Sequence, residues 1–248
     1  MHTYPYRETS LILQVWTEQH GRLGLVAKGA RRPKSPTRAV IVAFQPLILS
    51  WFGRGELKTL KTAEPAGAAR PLGGQSLFSA FYLNELILKL THREDPHEGL
   101  FAAYDEAIAA LREISNAAGV PRAAEPSAKP SSPVEPVLRR FEVRLLRELG
   151  YAVELTREAG TGAPIVAEHE YWYVVERGPI PAPAGEEVPG NAVKLSGQTL
   201  VDLEHGRYEN PTTASQSKSL MRLLINHSLG GQELATRSLV RDLQRFEP

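Results

Sequence analysis

The sequence predicts an α+β fold, with a small β module at residues 1–72 and a mainly helical part at residues 73–248. Three observations predict it. Short runs rich in Leu, Ile and Val, about ten residues apart, fill the stretch from Thr9 to Glu64. After Pro71 and the Gly73-Gly74 pair, the apolar period becomes helical. The charge changes there too. Residues 1–70 hold eleven Lys/Arg against four Asp/Glu, a net of +7, whereas residues 71–248 hold eighteen against twenty-four, a net of −6. The whole-chain value of +1 hides this division.

In the β module, SLILQVW, RLGLVAK, AVIVAF, PLILSWF and ELKTLKT read as strands, separated by Gly, Pro and charged clusters. Their spacing fits a small barrel or sandwich. Alternation in RLGLVAK places Leu23, Leu25 and Ala27 on one face, with Arg22 and Lys28 on the other. In ELKTLKT, Lys58 and Lys61 fall on opposite faces, so one groove takes only one of them unless the strand bulges.

The first predicted helix carries Leu83, Leu86, Ile87 and Leu90 at i, i+3, i+4, i+7 spacing, with Ser76 as its expected N-cap. A second starts near Glu98 and aligns Phe101, Tyr104, Ile108 and Leu111. Residues 119–136, rich in Pro, Ala and Ser, read as a flexible loop. A third helix, about Glu135 to Leu149, turns Leu138, Phe141, Leu145 and Leu149 inward and ends at Gly150. Arg139, Arg140, Arg144 and Arg147 crowd it, and Glu142 and Glu148 are expected to pair with them. Residues 156–210 read as irregular, with YWYVVERG as the one strand. Helices from about Ser215 to Leu229 and Leu234 to Phe246 close the chain.

Composition narrows the function. A hydrophobic content of 42% supports an ordinary core. The absence of cysteine excludes disulfides, thiol nucleophiles and thiolate zinc sites. No apolar run approaches the roughly 20 residues that span a bilayer, and MHTYPYRET lacks the apolar centre of a signal peptide. The expected location is therefore the cytoplasm, with no membrane partner. There is no GxxxxGK[ST] loop, GxSxG elbow, HExxH or dinucleotide fingerprint. His92 and His97 flank Glu94 and Asp95, but between two helices this reads as a polar turn, not a metal site. No catalytic residue and no cofactor is expected.

The most distinctive stretch is GRLGLVAKGARRPKSPTR, residues 21–38. It carries Arg22, Lys28, Arg31, Arg32, Lys34 and Arg38 with no acid among them. A cationic loop on a β scaffold, with no catalytic group nearby, suits a polyanion. A lopsided solvated surface would give the same composition. Among the rings, Trp16 and Phe44 read as core, whereas Tyr6 beside Arg7 and the Trp51-Phe52 pair near Arg54 read as candidates for exposure.

The run YRETSLILQVWTEQHGRLGLVAKGARRPKS resembles the N-terminal module of the RecO family of bacterial recombination mediators. LILSWFGRGELKTLKTAE, LFSAFYLNELILKL, PVLRRFEVRLLRELGYAVEL and LGGQELATRSLVRDL resemble later segments of that family in the same order. The resemblance implies an OB-fold barrel joined to a helical domain. It also implies binding of single- and double-stranded DNA, annealing of complementary strands, and work with RecR to load RecA. The loading is onto DNA coated by single-stranded-DNA-binding protein. By position it implies DNA contacts from Arg22, Lys28, Arg31, Arg32, Lys34 and Arg38, and from Arg54, Lys58 and Lys61 in GRGELKTLK. It further implies a seat for the acidic C-terminal tail of the single-stranded-DNA-binding protein at Leu138, Arg139, Arg140 and Phe141. There a guanidinium would clamp a carboxylate beside an apolar surface.

Two departures from the family pattern stand out. Many relatives carry a four-cysteine zinc site after the third helix, where this chain has no cysteine, so packing must hold that segment. Relatives also have several residues before the position of His2, and a shortened first strand would expose a sheet edge. The rival to a DNA-binding mediator is a protein-interaction adaptor with negligible affinity for naked DNA. A metal-dependent nuclease stands third.

Overall fold

The structure is a computed structural model that describes residues 2–68, 71–118, 132–151, 153–183, 185 and 187–237. It divides into two compact units, one within residues 1–119 and 235–248 and one within residues 120–234. The first unit holds a five-stranded sheet: β1 (His2–Tyr6), β2 (Ser10–Thr17), β3 (Gly21–Ala27), β4 (Leu47–Phe52) and β5 (Leu57–Pro65). Their spatial order is β1-β2-β3-β5-β4, antiparallel except where β3 runs parallel to β5. A five-residue helix, α1 (Pro36–Val40), makes the connection from β3 to β4. This is the five-stranded, partly open arrangement of an OB fold. The sheet is not closed: among the described residues no ladder joins β1 to β4.

The predicted alternation holds. Leu23, Leu25 and Ala27 are buried with Leu13 and Ala30, and Leu11, Val15, Leu49, Trp51 and Leu60 pack against them. The expected strand at AVIVAF is absent, however. Ser35 stands at the N-cap and Pro36 at the first helical position, where its fixed φ and missing N–H favour a helix start. Val40 therefore ends α1 and Phe44 bends the chain at φ 63°. β4 and β5 shift register at Ser50/Trp51, which leaves Lys61 as the extra residue between the paired Leu60 and Thr62; Lys61 is exposed and Lys58 is half-buried.

Two helices complete the first unit, α2 (Gly74–Leu90) and α3 (Glu98–Ala118). Leu83, Leu86, Ile87, Ile108 and Leu111 are buried as their periodicity predicts, whereas Leu90, Phe101 and Tyr104 of the same stripes are half-buried, and Leu100, outside the expected stripe, is fully buried. Ser76 is not the N-cap. Gly73 holds that position in an extended conformation, and Ser76 lies buried within the helix. At the other end of the chain, residues 235–237 are helical and belong to this unit. The rest of the predicted terminal helix lies outside the described residues. A cavity of about 810 Å³ opens beside β1, β2, β4 and α3, with Trp16, Phe44, Trp51, Phe101 and Tyr104 in its walls.

The second unit begins with α4 (Val134–Glu148). Residues 119–131 of the predicted loop lie outside the described residues, and residues 134–136 are already helical. Val134, Val137, Phe141, Leu145 and Leu146 are buried, as are Leu220, Met221, Leu224 and Ile225 of α6 (Pro211–Ser228), which packs on α4. Asn210 caps α6 by accepting from the Thr212 N–H at 2.9 Å, so that helix starts four residues before the expected Ser215.

The stretch 156–210 is more ordered than expected. It forms a three-stranded antiparallel sheet, β7-β6-β8, from β6 (Glu170–Val174), β7 (Gly178–Pro181) and β8 (Ala192–Ser196), followed by α5 (Gly197–Glu204). Tyr171, Trp172 and Tyr173 of β6 are all buried. Burial pushes the Tyr173 phenol up to about 12.

The start of this stretch is held by hydrogen bonds. The Glu154 carboxylate accepts from the Thr156 N–H at 2.7 Å, the Thr156 hydroxyl at 2.6 Å and the Arg157 N–H at 3.0 Å, and this hydrogen bonding, the Thr156 hydroxyl first, lowers its pKa. Glu158 accepts from Thr161 and Tyr171.

Candidate nucleic-acid interface

The nine cations expected on DNA fall at two ends of the OB sheet. β2 begins where β3 ends, with Leu11 opposite Ala27, and β5 runs beside β3 with Thr59 opposite Val26. The β1–β2 turn, the segment after Ala27, and Lys61 therefore lie toward one end. The start of β3, the β4–β5 turn and Lys58 lie toward the other. Six residues of extended chain separate Arg22 from Lys28, a distance of about 20 Å.

At the first end Lys28, Arg31, Arg32, Lys34, Arg38 and Lys61 are all exposed. None of them has a carboxylate within salt-bridge distance among the described residues. Local chemistry builds their loop. Gly29 takes φ 70°, which glycine adopts without steric cost. The Arg31 N–H donates to Thr9 O at 2.9 Å, and the Arg32 N–H donates to Gly29 O at 3.1 Å. One Arg31 guanidinium nitrogen also donates to Arg7 O and Glu8 O, at 3.2 and 3.3 Å. That ties the loop to the β1–β2 turn and brings in Arg7, which lies 5.2 Å from the centroid of the Tyr6 ring. Arg7 is thus a further exposed cation at this end, outside the nine expected on DNA.

The second end differs. Arg22 is half-buried and donates to Thr91 O at 2.9 Å. Burial, and after it the neighbouring Arg93, lowers its pKa from the ordinary arginine value. Lys58 is paired with the Glu94 carboxylate and donates to Gly55 O at 3.2 Å. Arg54 is exposed in the β4–β5 turn. Arg93, which no sequence signal singled out, lies 4.0 Å from Glu56.

The rings also separate. Trp16 is buried and stacks on His97 at 6.5 Å between centroids, while Phe44 packs edge-on against Phe81 at 5.0 Å. Phe52 is 57% exposed and Tyr4 is 45% exposed, so both present apolar rings at the surface. Trp51 is half-buried, packed against the sheet core and touched edge-on by His20.

In the second unit the four residues expected to seat an acidic tail have different surroundings. Arg139 is buried and pairs with the fully buried Glu142 at 2.8 Å. Arg140 is exposed, donates to Gly206 O at 3.1 Å, and lies 5.6 Å from the Tyr208 ring centroid. Leu138 is half-buried and Phe141 is buried. Of the other pairs expected on α4, Arg144 joins Glu148 at 3.0 Å, whereas Arg147 reaches out to Glu204 on α5.

Among the described residues, no group of three or more His, Asp or Glu is placed to hold a metal ion. No described helix is long and apolar enough to cross a membrane.

Comparison with known proteins covers nearly the whole chain. Residues 1–69 match the family model described as Recombination protein O N terminal. Residues 74–125 and 128–236 match Recombination protein O C terminal. A DNA repair protein RecO from Aromatoleum aromaticum is 46% identical over 247 residues, covering 99% of this chain and 94% of the relative. One from Nitrosospira multiformis is 47% identical, with the same coverage of both chains. One from Thiobacillus denitrificans is 44% identical over 248 residues, covering 100% and 91%.

Proposed function

The chain belongs to the RecO family of DNA repair proteins, and on that premise we propose that it is a non-enzymatic, DNA-binding recombination mediator. One observation carries the reading: the segment after β3 presents five exposed cations in eleven residues, and none is paired with an acid among the described residues. Such a surface neutralises phosphates without reading bases, so it binds single- and double-stranded DNA with little regard to sequence. Annealing follows from the same physics. Two strands held on one basic surface repel each other less and meet at higher local concentration.

The partners belong to this reading. RecR and the single-stranded-DNA-binding protein would act with the chain to load RecA in the cytoplasm. Arg140 is the arginine of α4 we assign to the acidic tail of the single-stranded-DNA-binding protein, because it is exposed beside Tyr208 and has no carboxylate partner among the described residues, while Arg139 is committed to Glu142. The DNA reading is tested by replacing Arg31, Arg32 and Lys34 together with Ala. Binding of unrelated oligonucleotides should weaken alike, and annealing of complementary strands should slow with it. Unchanged binding would contradict the assignment.

A further inference from the structure

The segment between α2 and α3 lies across the second basic end of the sheet. Four observations fix it there. Arg93 bridges Arg22 as a short parallel extension of β3, and the Glu94 N–H donates to Arg22 O at 3.0 Å. The Arg22 guanidinium reaches Thr91 O. Gly21 has no side chain where one would stand 2.1 Å from Asp95 O, so this close approach requires glycine. Glu94 itself adopts φ 58°, a left-handed conformation that costs free energy for a residue with a Cβ. It does so with its carboxylate placed on Lys58. A strained residue that aims an acid at a cation of a nucleic-acid surface acts as a stand-in for a phosphate.

We propose that residues 91–97 form a strap whose Glu94 carboxylate occupies Lys58 until a DNA phosphate displaces it. The proposal rests on the DNA-binding reading above and names a regulation of that same surface. Displacement frees Lys58 and leaves Arg93 and Arg54 beside it, which extends the DNA path from the loop after β3 to the far end of the sheet. The Glu94 side chain is 51% exposed against 13% for Lys58, so the acid is the partner that can swing away. On opening, the carboxylate passes into water while the Lys58 ammonium keeps its hydrogen bond to Gly55 O, which lowers the cost of parting the pair. The open state is therefore appreciably populated, and holding it closed lowers DNA affinity only by the open fraction.

The test is the salt dependence of single-stranded DNA binding for the full chain and for Glu94→Gln. Glu64→Gln, an exposed acid on β5 with no cation within salt-bridge distance among the described residues, controls for the simple loss of one negative charge. Glu94→Gln should bind about two- to five-fold tighter, with the slope of log K against log salt little changed, since Lys58 meets the same phosphate in the bound state of both chains. Lys58→Ala should abolish that gain, and it should also weaken binding when Glu94 is intact, because a phosphate meets Lys58 there once it has displaced the carboxylate. A Glu94→Gly variant, which also relieves the left-handed conformation, should show the same gain and guards against a folding defect in the first variant. The strap is overturned if Glu94→Gln matches the parent or Glu64→Gln, or if its gain survives Lys58→Ala. Arg31→Ala/Arg32→Ala in the same titrations separates the two readings. A loss of binding there with no response at Glu94 sinks the strap alone, and no loss there sinks the loop assignment.

Discussion

Arg139 and Arg140 are adjacent on α4, yet a turn of about 100° per residue sends one into the core and the other to solvent. Arg139 balances Glu142, whose side chain is wholly buried. Arg139→Ala would leave that carboxylate without its cation in a low-dielectric setting, a loss of about 3–5 kcal/mol. Thermal or urea unfolding should show it plainly. Arg140→Ala should leave stability within about 0.5 kcal/mol, as expected for an exposed position. It should weaken binding of a synthetic acidic peptide that ends in Phe. Equal stability of the two variants would refute this division of labour. The sequence displayed the two arginines as equivalent, because the phase of a helix that is buried over most of its surface is hard to read from α4 alone. Arg22 and Lys58 were obscured for a different reason. Their partners Thr91 and Glu94 stand 69 and 36 residues away, beyond the reach of any local pattern.

Elements with strong periodicity were legible: the β2–β3 hairpin, α2, α3, α4 and α6 all stand where apolar spacing puts them. The misses have local causes. AVIVAF has strand composition, but the Ser-Pro pair ahead of it starts a helix. β7, with the sequence GPIP, has neither the length nor the alternation that marks a strand, and exists because β6 offers it an edge. α5 is eight residues long and depends on Ser196, whose hydroxyl accepts from the Thr199 N–H. One contact at this scale can be followed by pH. The Glu85 carboxylate of α2 accepts from the N–H groups of Ala235 and Thr236 and from the Thr236 hydroxyl, which tethers residues 235–237 to the first unit. Burial alone would raise its pKa, but these hydrogen bonds, together with Lys89, bring it below the ordinary value of 4.5. The folded chain thus favours the ionised form. The stabilisation is complete above about 4.5 and fades as the pH falls through the lower folded value. Amide resonances of Ala235 and Thr236 should titrate in that acid range, and Glu85→Gln should abolish the titration. A titration that persists in the variant would assign it to another group.

Across the whole molecule, the charge division between residues 1–70 and 71–248 is the feature that the sequence displayed most directly, and the fold refines it. Of the nine cations expected on DNA, six gather at one end of the OB sheet as an exposed set, Arg54 is exposed at the other, and Arg22 and Lys58 are engaged by the segment after α2. The basic loop needs no long-range contact to be recognised, since Gly29, the Arg31-Arg32 pair and the absence of acids are all local. Whether that loop works as a phosphate surface is decided most directly by the salt dependence of single-stranded DNA binding by the purified full chain. With about five phosphates neutralised, log K should fall with log salt at a slope near −3.5 between about 50 and 200 mM. A flat dependence, or no binding at the lowest salt, would contradict it.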